Sequence, residues 1–149
     1  MQLLTFTVGG GDFGISLKDI ELVEGRSDKI VELVAASEHI KGLVTIRGDI
    51  VPVYSLASRF GYNAEELRYF IIVNVEGMKL GLEVDRVNAV MDIEEAEVIS
   101  LPPFLSGAGN YLKNIVSSHQ KRLIILIDVN NLINKAEKAE INQLIVSAE

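Results

Sequence analysis

The chain has 149 residues, of which 48% are hydrophobic and 23% are charged, and its net charge is −7 at pH 7. This composition is typical of a globular protein and argues against disorder. The acidic balance argues against binding to nucleic acid or to anionic lipid, because both need a basic surface. The chain contains no cysteine, which excludes disulfides and thiolate chemistry.

The N-terminal stretch MQLLTFTVGGG lacks the basic residues that precede the apolar run of a secretory signal. No apolar run approaches the ~20 residues of a membrane span. We therefore expect a cytoplasmic protein without direct membrane insertion.

The first half of the chain predicts short strands separated by turns. Runs of β-branched and aromatic residues, some with period-two alternation, are typical of strands with a buried face. In chain order the predicted strands cover residues 3–8, 13–17, 18–24, 42–46 and 50–56. Residues 9–12, Gly-Gly-Gly-Asp, form the first predicted turn. Residues 55–62 predict one or two helical turns that end at Gly61 as the C′ residue.

The second half predicts a similar series and then a helix. Its predicted strands cover residues 70–75, 79–84, 85–93, 113–117 and 122–129. Glu76-Gly77 indicates a tight hairpin turn, and residues 101–110, LPPFLSGAGN, indicate a loop. Residues 131–148 have near-helical apolar spacing, which predicts an amphipathic C-terminal helix packed on the core. The predicted polar side of this helix consists of Lys135, Glu137, Lys138 and Glu140.

The two halves resemble each other. Residues 8–23, VGGGDFGISLKDIELV, align without a gap to residues 75–90, VEGMKLGLEVDRVNAV. Two later blocks match more loosely in the same order, which predicts a duplicated unit of about 70 residues. We place the approximate units at 2–65 and 69–134 within one domain that spans 1–149. Each unit offers about five short strands, and small sheets protect their edges best by closing. The predicted fold is therefore mainly all-β, with two small barrels in a pseudo-symmetric pair that are able to exchange strands.

The segment GGGDFG, residues 9–14, fits the G-x-G-x-x-G pattern of dinucleotide-binding sites. A dinucleotide site needs a helix directly after its third glycine. The aligned segment VEGMKLG has one glycine where this one has three, and the residues that follow it are rich in valine. The pattern therefore favours a hairpin, and we expect no cofactor.

Few residues suggest catalysis or metal binding. The two histidines, His39 and His119, stand in polar stretches without metal-ligand neighbours, and we expect both in exposed loops. Asp128 follows a buried run, and a turn or cap acceptor is a more typical role for it than catalysis. No catalytic or metal-binding residue is predicted, and we expect no enzymatic activity.

The segment GLVTIRGDIVPV, residues 42–53, places Arg47-Gly48-Asp49 between two apolar runs. Arg-Gly-Asp serves as an adhesion ligand on secreted proteins, but this chain shows no secretion signal. A hairpin turn explains Gly48, which adopts positive φ readily. The turn does not require Arg47. A guanidinium at a hairpin mouth can bind a partner carboxylate or carbonyl, so we predict that Arg47 contacts a partner.

The segment IKGLVTIRGDIVPVYSL, residues 40–56, resembles the signature of the CheW-like family. GDFGISLKDIELV, KLGLEVDRVNAVMDI and RLIILIDVNNLI resemble the family's other blocks, in the right order. The resemblance covers nearly all of residues 2–134. It implies two SH3-like five-stranded barrels and a non-catalytic adaptor in chemotaxis signal transduction. The implied partners are chemoreceptor cytoplasmic tips and the regulatory domain of the histidine kinase CheA, which is itself CheW-like.

The resemblance also implies which residues contact the receptor or the kinase. Arg47 matches the family's arginine beside the receptor site, and Gly42 matches the glycine in the same strand. Ile20 matches an apolar position implicated in receptor contact. Four further valines are predicted from the internal repeat and from strand alternation: Val23, Val44, Val87 and Val90.

Two other hypotheses stay open at this point. Thr45 and Ser55 stand where the family usually has Asn and Asp, which fits a divergent scaffold that only self-associates or serves a non-chemotactic signalling array. A small β-barrel enzyme using Asp128, or a nucleotide binder using residues 9–14, belongs to a different functional class.

Overall fold

The computed structural model of the chain describes residues 1–32, 37–63, 66–94, 98–100, 112–117 and 123–148. Strands dominate these residues. In chain order they are β1 Gln2–Val8, β2 Gly11–Ser16, β3 Ile20–Gly25, β4 Val31–Glu32, β5 Ile40–Ile46, β6 Asp49–Ser55, β7 Tyr69–Val75, β8 Met78–Val84, β9 Arg86–Asp92, β10 Val98–Ser100, β11 Leu112–Ser117 and β12 Leu123–Ile127. The helices are α1 Leu56–Phe60, α2 Val129–Leu132 and α3 Lys135–Ala148, with a 3₁₀ turn at Leu17–Asp19.

The strands form two six-stranded sheets of matching order. The first sheet runs β10-β11-β12-β2-β1-β9, and the second runs β4-β5-β6-β8-β7-β3. Strands at the same position in the two sheet orders therefore differ by six in their numbers, as β9 and β3 do at one end. The parallel pair β12–β2 corresponds in this way to the parallel pair β6–β8. The sheets do not follow the halves of the chain, because the hairpins β1–β2 and β7–β8 each pair with strands of the other half.

The second sheet curls so that its terminal strand β3 approaches the β5–β6 turn. Arg47 in that turn forms an ion pair with Glu24 of β3, although two strands, β7 and β8, separate β3 from β6 in the sheet order. Leu22 of β3 packs against the cluster that contains Ile46 and Val51. This curvature fits the predicted SH3-like barrel, and the predicted mainly-β fold with a C-terminal helix is confirmed.

One hydrophobic cluster spans both sheets. Phe6, Phe13 and Ile15 contribute to it from the first sheet, and Ile71 and Leu82 contribute from the second. All five side chains are at most 1% exposed. A shared close-packed core resists relative movement of its two sides, so it fixes the two sheets against each other.

The C-terminal helix begins later than predicted and is separate from a shorter helix. The predicted helix covers 131–148, whereas α3 begins at Lys135 and Ile133 has extended backbone angles. Asn134 caps α3, because its Oδ1 accepts a hydrogen bond from the Glu137 backbone N–H at 2.8 Å. The Glu137 carboxylate accepts two hydrogen bonds, one from the Asn134 N–H at 3.3 Å and one from the Ser37 hydroxyl at 2.7 Å. Glu137 is therefore buried, and its predicted place on the polar face is wrong.

Candidate functional site

The predicted hairpin turn at the Arg-Gly-Asp triplet is confirmed. Arg47 and Gly48 connect β5 to β6 with φ values of 51° and 84°. Positive φ at both central residues is typical of the type I′ turns that join twisted antiparallel strands. Glu76-Gly77, also predicted as a turn, has φ values of 52° and 84°. An arginine in the left-handed region carries a backbone cost that glycine avoids.

The Arg47 side chain is presented to solvent and oriented by one carboxylate. It is 71% exposed, and its Nε donates to Glu24 Oε1 at 2.7 Å. An exposed ion pair of this kind contributes little to stability. Glu24 therefore orients the guanidinium while leaving much of it accessible. The sequence did not identify Glu24 as the partner of Arg47, since 23 positions separate them and only the curl of the sheet brings them together.

A second charged group lies on the same sheet. The Lys79 ammonium is 2.7 Å from Asp49 Oδ2 and 3.4 Å from Glu21 Oε2. Hydrogen bonds to Asp49 and Glu21 raise the pKa of Lys79. Glu21 also accepts a hydrogen bond from Asn74 at 3.0 Å. These contacts bind together the strands β3, β6, β7 and β8 on their polar face.

The remaining predicted surface residues lie on β3 and β9, the corresponding terminal strands of the two sheets. Val23 is 39% exposed and Val90 is 54% exposed. Ile20 and Val87 are half-buried and pack against the shared core. Val23 precedes Glu24 in β3, and because successive strand residues point to opposite faces, its side chain lies on the other face of the strand from the Glu24 carboxylate.

Gly42 and Val44 lie inside the fold. A Cβ at Gly42 would stand 2.1 Å from the backbone oxygen of Val31, so glycine is needed there for β4 to approach β5. Val44 is 3% exposed and packs with Phe70. Both residues support the β5–β6 hairpin from within, and burial leaves them little surface with which to touch a partner.

The glycine-rich segment 9–14 packs closely against the side chain of Tyr62. A Cβ at Gly9 would lie 2.4 Å from Tyr62 Cβ, and one at Gly11 would lie 3.2 Å from the Tyr62 hydroxyl oxygen. Gly14 lies within β2, which continues to Ser16. The predicted hairpin is confirmed at this point, and the helix that a dinucleotide site needs does not follow Gly14.

Two other candidate residues, His39 and Asp128, form hydrogen bonds within the fold. The His39 side chain is only 15% exposed, and its Nδ1 lies 2.9 Å from Ser58 Oγ, so its prediction as an exposed residue is wrong. His119 lies outside the described residues. Asp128 caps α2 and accepts the Asn130 N–H at 3.1 Å, which confirms the predicted cap.

Two further features are absent from the described ranges. These ranges hold no group of three or more His, Cys, Asp or Glu side chains placed to bind a metal. In the same ranges, no helix has the length and apolar character needed to cross a membrane.

Comparison with known proteins identifies the family. The CheW-like domain family matches residues 2–137. The chain belongs to the CheW-like domain family. It is 28% identical to a chemotaxis protein CheW of Treponema pallidum, over 96% of this chain and 88% of the relative. It is 27% identical to a chemotaxis protein CheW of Klebsiella aerogenes, over 96% of this chain and 87% of the relative.

A solved structure agrees with the family assignment. The scaffolding protein TtCheW from Thermoanaerobacter tengcongensis superposes with a TM-score of 0.80 at 27% sequence identity. The match covers 89% of this chain and 87% of that one. The CheW-like resemblance stated from the sequence is confirmed by both comparisons.

Proposed function

We propose that this chain is a non-catalytic adaptor that couples chemoreceptors to the histidine kinase CheA in chemotaxis. The observation that carries the proposal is the CheW-like match over residues 2–137, together with relatives named as chemotaxis protein CheW. Its partners would be a chemoreceptor cytoplasmic tip and the CheW-like regulatory domain of CheA. A cytoplasmic location belongs to the same proposal, since both partners present their binding surfaces there.

The geometry around Arg47 supports a receptor contact. An exposed guanidinium with one orienting carboxylate retains free donors for a partner carboxylate or carbonyl. The exposed Val23 of β3 is a further proposed contact, on the opposite face of the strand from Glu24. Ile20, Val87 and Val90 are further proposed contacts. Gly42 and Val44 would act indirectly, by holding the hairpin that carries Arg47.

Calorimetry with two purified fragments tests this proposal. One fragment is the regulatory domain of CheA, and the other is a chemoreceptor cytoplasmic hairpin. We expect both to bind in the micromolar range. Absence of heat from either fragment at several tens of micromolar, roughly the limit for a specific transient contact, would contradict the proposal.

The variant Arg47→Ala tests the proposed contact itself. We expect at least about a tenfold loss of affinity for the receptor fragment, the size expected for removing a charge-assisted hydrogen bond. Thermal stability should stay unchanged, since the Arg47–Glu24 pair is exposed. Arg68→Ala is the matched control, because Arg68 is 67% exposed and paired to Glu66 in a similar way. If both variants bind like the unmodified chain, Arg47 is not a contact.

One observation favours a second candidate, a scaffold for a different signalling array. Thr45 departs from the family pattern at an exposed position two residues before Arg47. The other departure is structurally conservative, because the Ser55 hydroxyl caps α1 by accepting the Ser58 N–H at 3.1 Å, a role that Asp also fills. Restoration of chemotaxis-receptor binding by Thr45→Asn would favour this second candidate, whereas strong binding by the unmodified chain would contradict it.

A further inference from the structure

A groove of about 360 Å³ lies between the C-terminal end of α3 and the strands β4, β5 and β6. Its lining is mostly aliphatic, with Leu43 and Ile50 on the strands and Leu144 on the helix. Pockets that bind small molecules have volumes of roughly 300–1,000 Å³ and a similar predominance of apolar side chains. The groove therefore has the size and the character of a site for a small apolar ligand.

One wall of the groove leaves apolar surface in contact with water. Val31 of β4 lines the groove and is 63% exposed. β4 has only two residues and is the terminal strand of the second sheet, so no strand among the described residues lies on its outer side. An aliphatic group in the groove would remove this surface from water, and that removal is the main favourable term in apolar binding.

A lysine gives the groove a positive charge. Among the described residues that line it, only Lys29 is charged, and no carboxylate within the described ranges pairs with its ammonium. The β4–β5 register places Val31 opposite Leu43, and continuing it by two residues brings Lys29 near Thr45. Thr45 also lines the groove and is exposed. An ammonium and a hydroxyl at the same end of the groove can both donate hydrogen bonds to one carboxylate.

We propose that this groove binds a medium-chain aliphatic carboxylate. The carboxylate lies at Lys29 and Thr45, and the alkyl chain extends along Val31, Leu43 and Leu144. Charge complementarity selects an acid, because the one charged group in the described lining is a cation that has no carboxylate partner there. The proposal does not depend on the proposed function, because its tests use this chain and small soluble ligands alone.

Two-dimensional NMR titration with sodium octanoate tests the binding. We expect saturable shifts in residues around the groove and a dissociation constant of about 1 mM, which corresponds to a modest binding energy per ligand atom. Decanoate has two further methylenes to bury and should bind about tenfold more tightly. Absence of saturable shifts in the groove residues up to about 10 mM octanoate overturns the proposal.

Replacing the cation separates an acid site from a groove that is merely apolar. Lys29→Gln should weaken octanoate binding about threefold to fivefold, the size expected for an exposed ion pair, and should leave the binding of uncharged 1-octanol unchanged. Lys135→Gln is the matched control, because Lys135 is an exposed lysine at the opposite end of α3. If Lys29→Gln weakens octanoate and octanol equally, or if the two lysine variants behave alike, the proposed acid site is wrong.

A pair of valine variants tests the position of the alkyl chain. Val31→Asp should reduce the affinity for octanoate by at least about tenfold, because it removes apolar contact and places a carboxylate beside that of the ligand. Val146→Asp is the control, since Val146 is 71% exposed on α3 and does not line the groove. Both valines are exposed, so neither change should disturb the core, and circular dichroism checks that each variant has folded. Equal affinities for the two variants overturn the proposal.

Discussion

Replacing Arg26 with methionine should destabilise the fold strongly, although Arg26 is itself partly exposed. Its Nε donates to Glu83 Oε2 at 2.7 Å, and the Glu83 side chain is only 4% exposed. Removing one partner of a buried ion pair costs about 3–5 kcal/mol, because the remaining charge is left uncompensated. Arg26 is 26% exposed, which allows water to reach the pair, so we expect a loss of about 2–4 kcal/mol. That loss is a large share of the ~5–15 kcal/mol that stabilises a typical domain.

Urea denaturation followed by circular dichroism measures this loss, and a double-mutant cycle assigns it. Glu83→Leu combined with Arg26→Met should recover most of the stability, because no buried charge is then left unpaired. Arg47→Ala is the control, since it removes an exposed pair and should change the free energy of unfolding by less than about 0.5 kcal/mol. A loss below about 1 kcal/mol for Arg26→Met would refute the argument from burial.

Three further predictions concern other parts of the fold. Gly9→Ala should cost about 1–3 kcal/mol by urea denaturation, because its Cβ would lie 2.4 Å from Tyr62 Cβ and its φ is 56°; Tyr62→Gly in the same chain removes the contacted Cβ and should recover part of that cost. Burial raises the pKa of Asp19 above its ordinary value of 3.8. The native state then binds the proton more tightly than the unfolded state, so Asp19→Asn should stabilise the fold at pH 7. This gain should vanish as the pH falls below 3.8, and a gain independent of pH would contradict the assignment. Glu137→Ala removes the carboxylate that accepts hydrogen bonds from the Asn134 N–H and from Ser37, so hydrogen exchange should accelerate more in α3 than in β7; a uniform acceleration would contradict a local anchor.

Local sequence patterns predicted local structure well. Glu76-Gly77 and the Arg47-Gly48 turn follow from glycine's tolerance of positive φ between two apolar runs. Gly61 ends α1 in the left-handed conformation as predicted, with φ of 75°. Asp128 at the end of an apolar run caps a helix, because a short carboxylate reaches the first free N–H groups. Each of these outcomes depends on residues within a few positions of one another.

Long-range pairing was not predictable in the same way. The parallel contact of Phe13 with Ile125 joins β2 to β12, and nothing local to either strand specifies it. Glu24 and Arg47 meet only because the sheet curls, and Glu137 is buried only because Ser37 reaches it. Sequence periodicity placed Glu137 on the polar face of the helix. It carries no information about Ser37, which is distant in the chain and whose hydroxyl donates a hydrogen bond to the buried carboxylate.

The corresponding edges of the two sheets show how a repeated unit can acquire separate roles. β3 and β9 occupy the same place in matching sheets, so backbone geometry alone gives them equal capacity for pairing. Their side chains differ, because Glu24 holds Arg47 at the β3 edge while the interior of β9 is uncharged. The charged edge closes on its own sheet and leaves the Arg47 guanidinium exposed, whereas the uncharged edge exposes Val90. If Val23→Glu impaired binding of the receptor fragment and Val90→Lys left it unchanged, the two edges would be functionally separate. If both variants impaired receptor binding equally, both edges would contribute to the same interaction and this division of roles would be wrong.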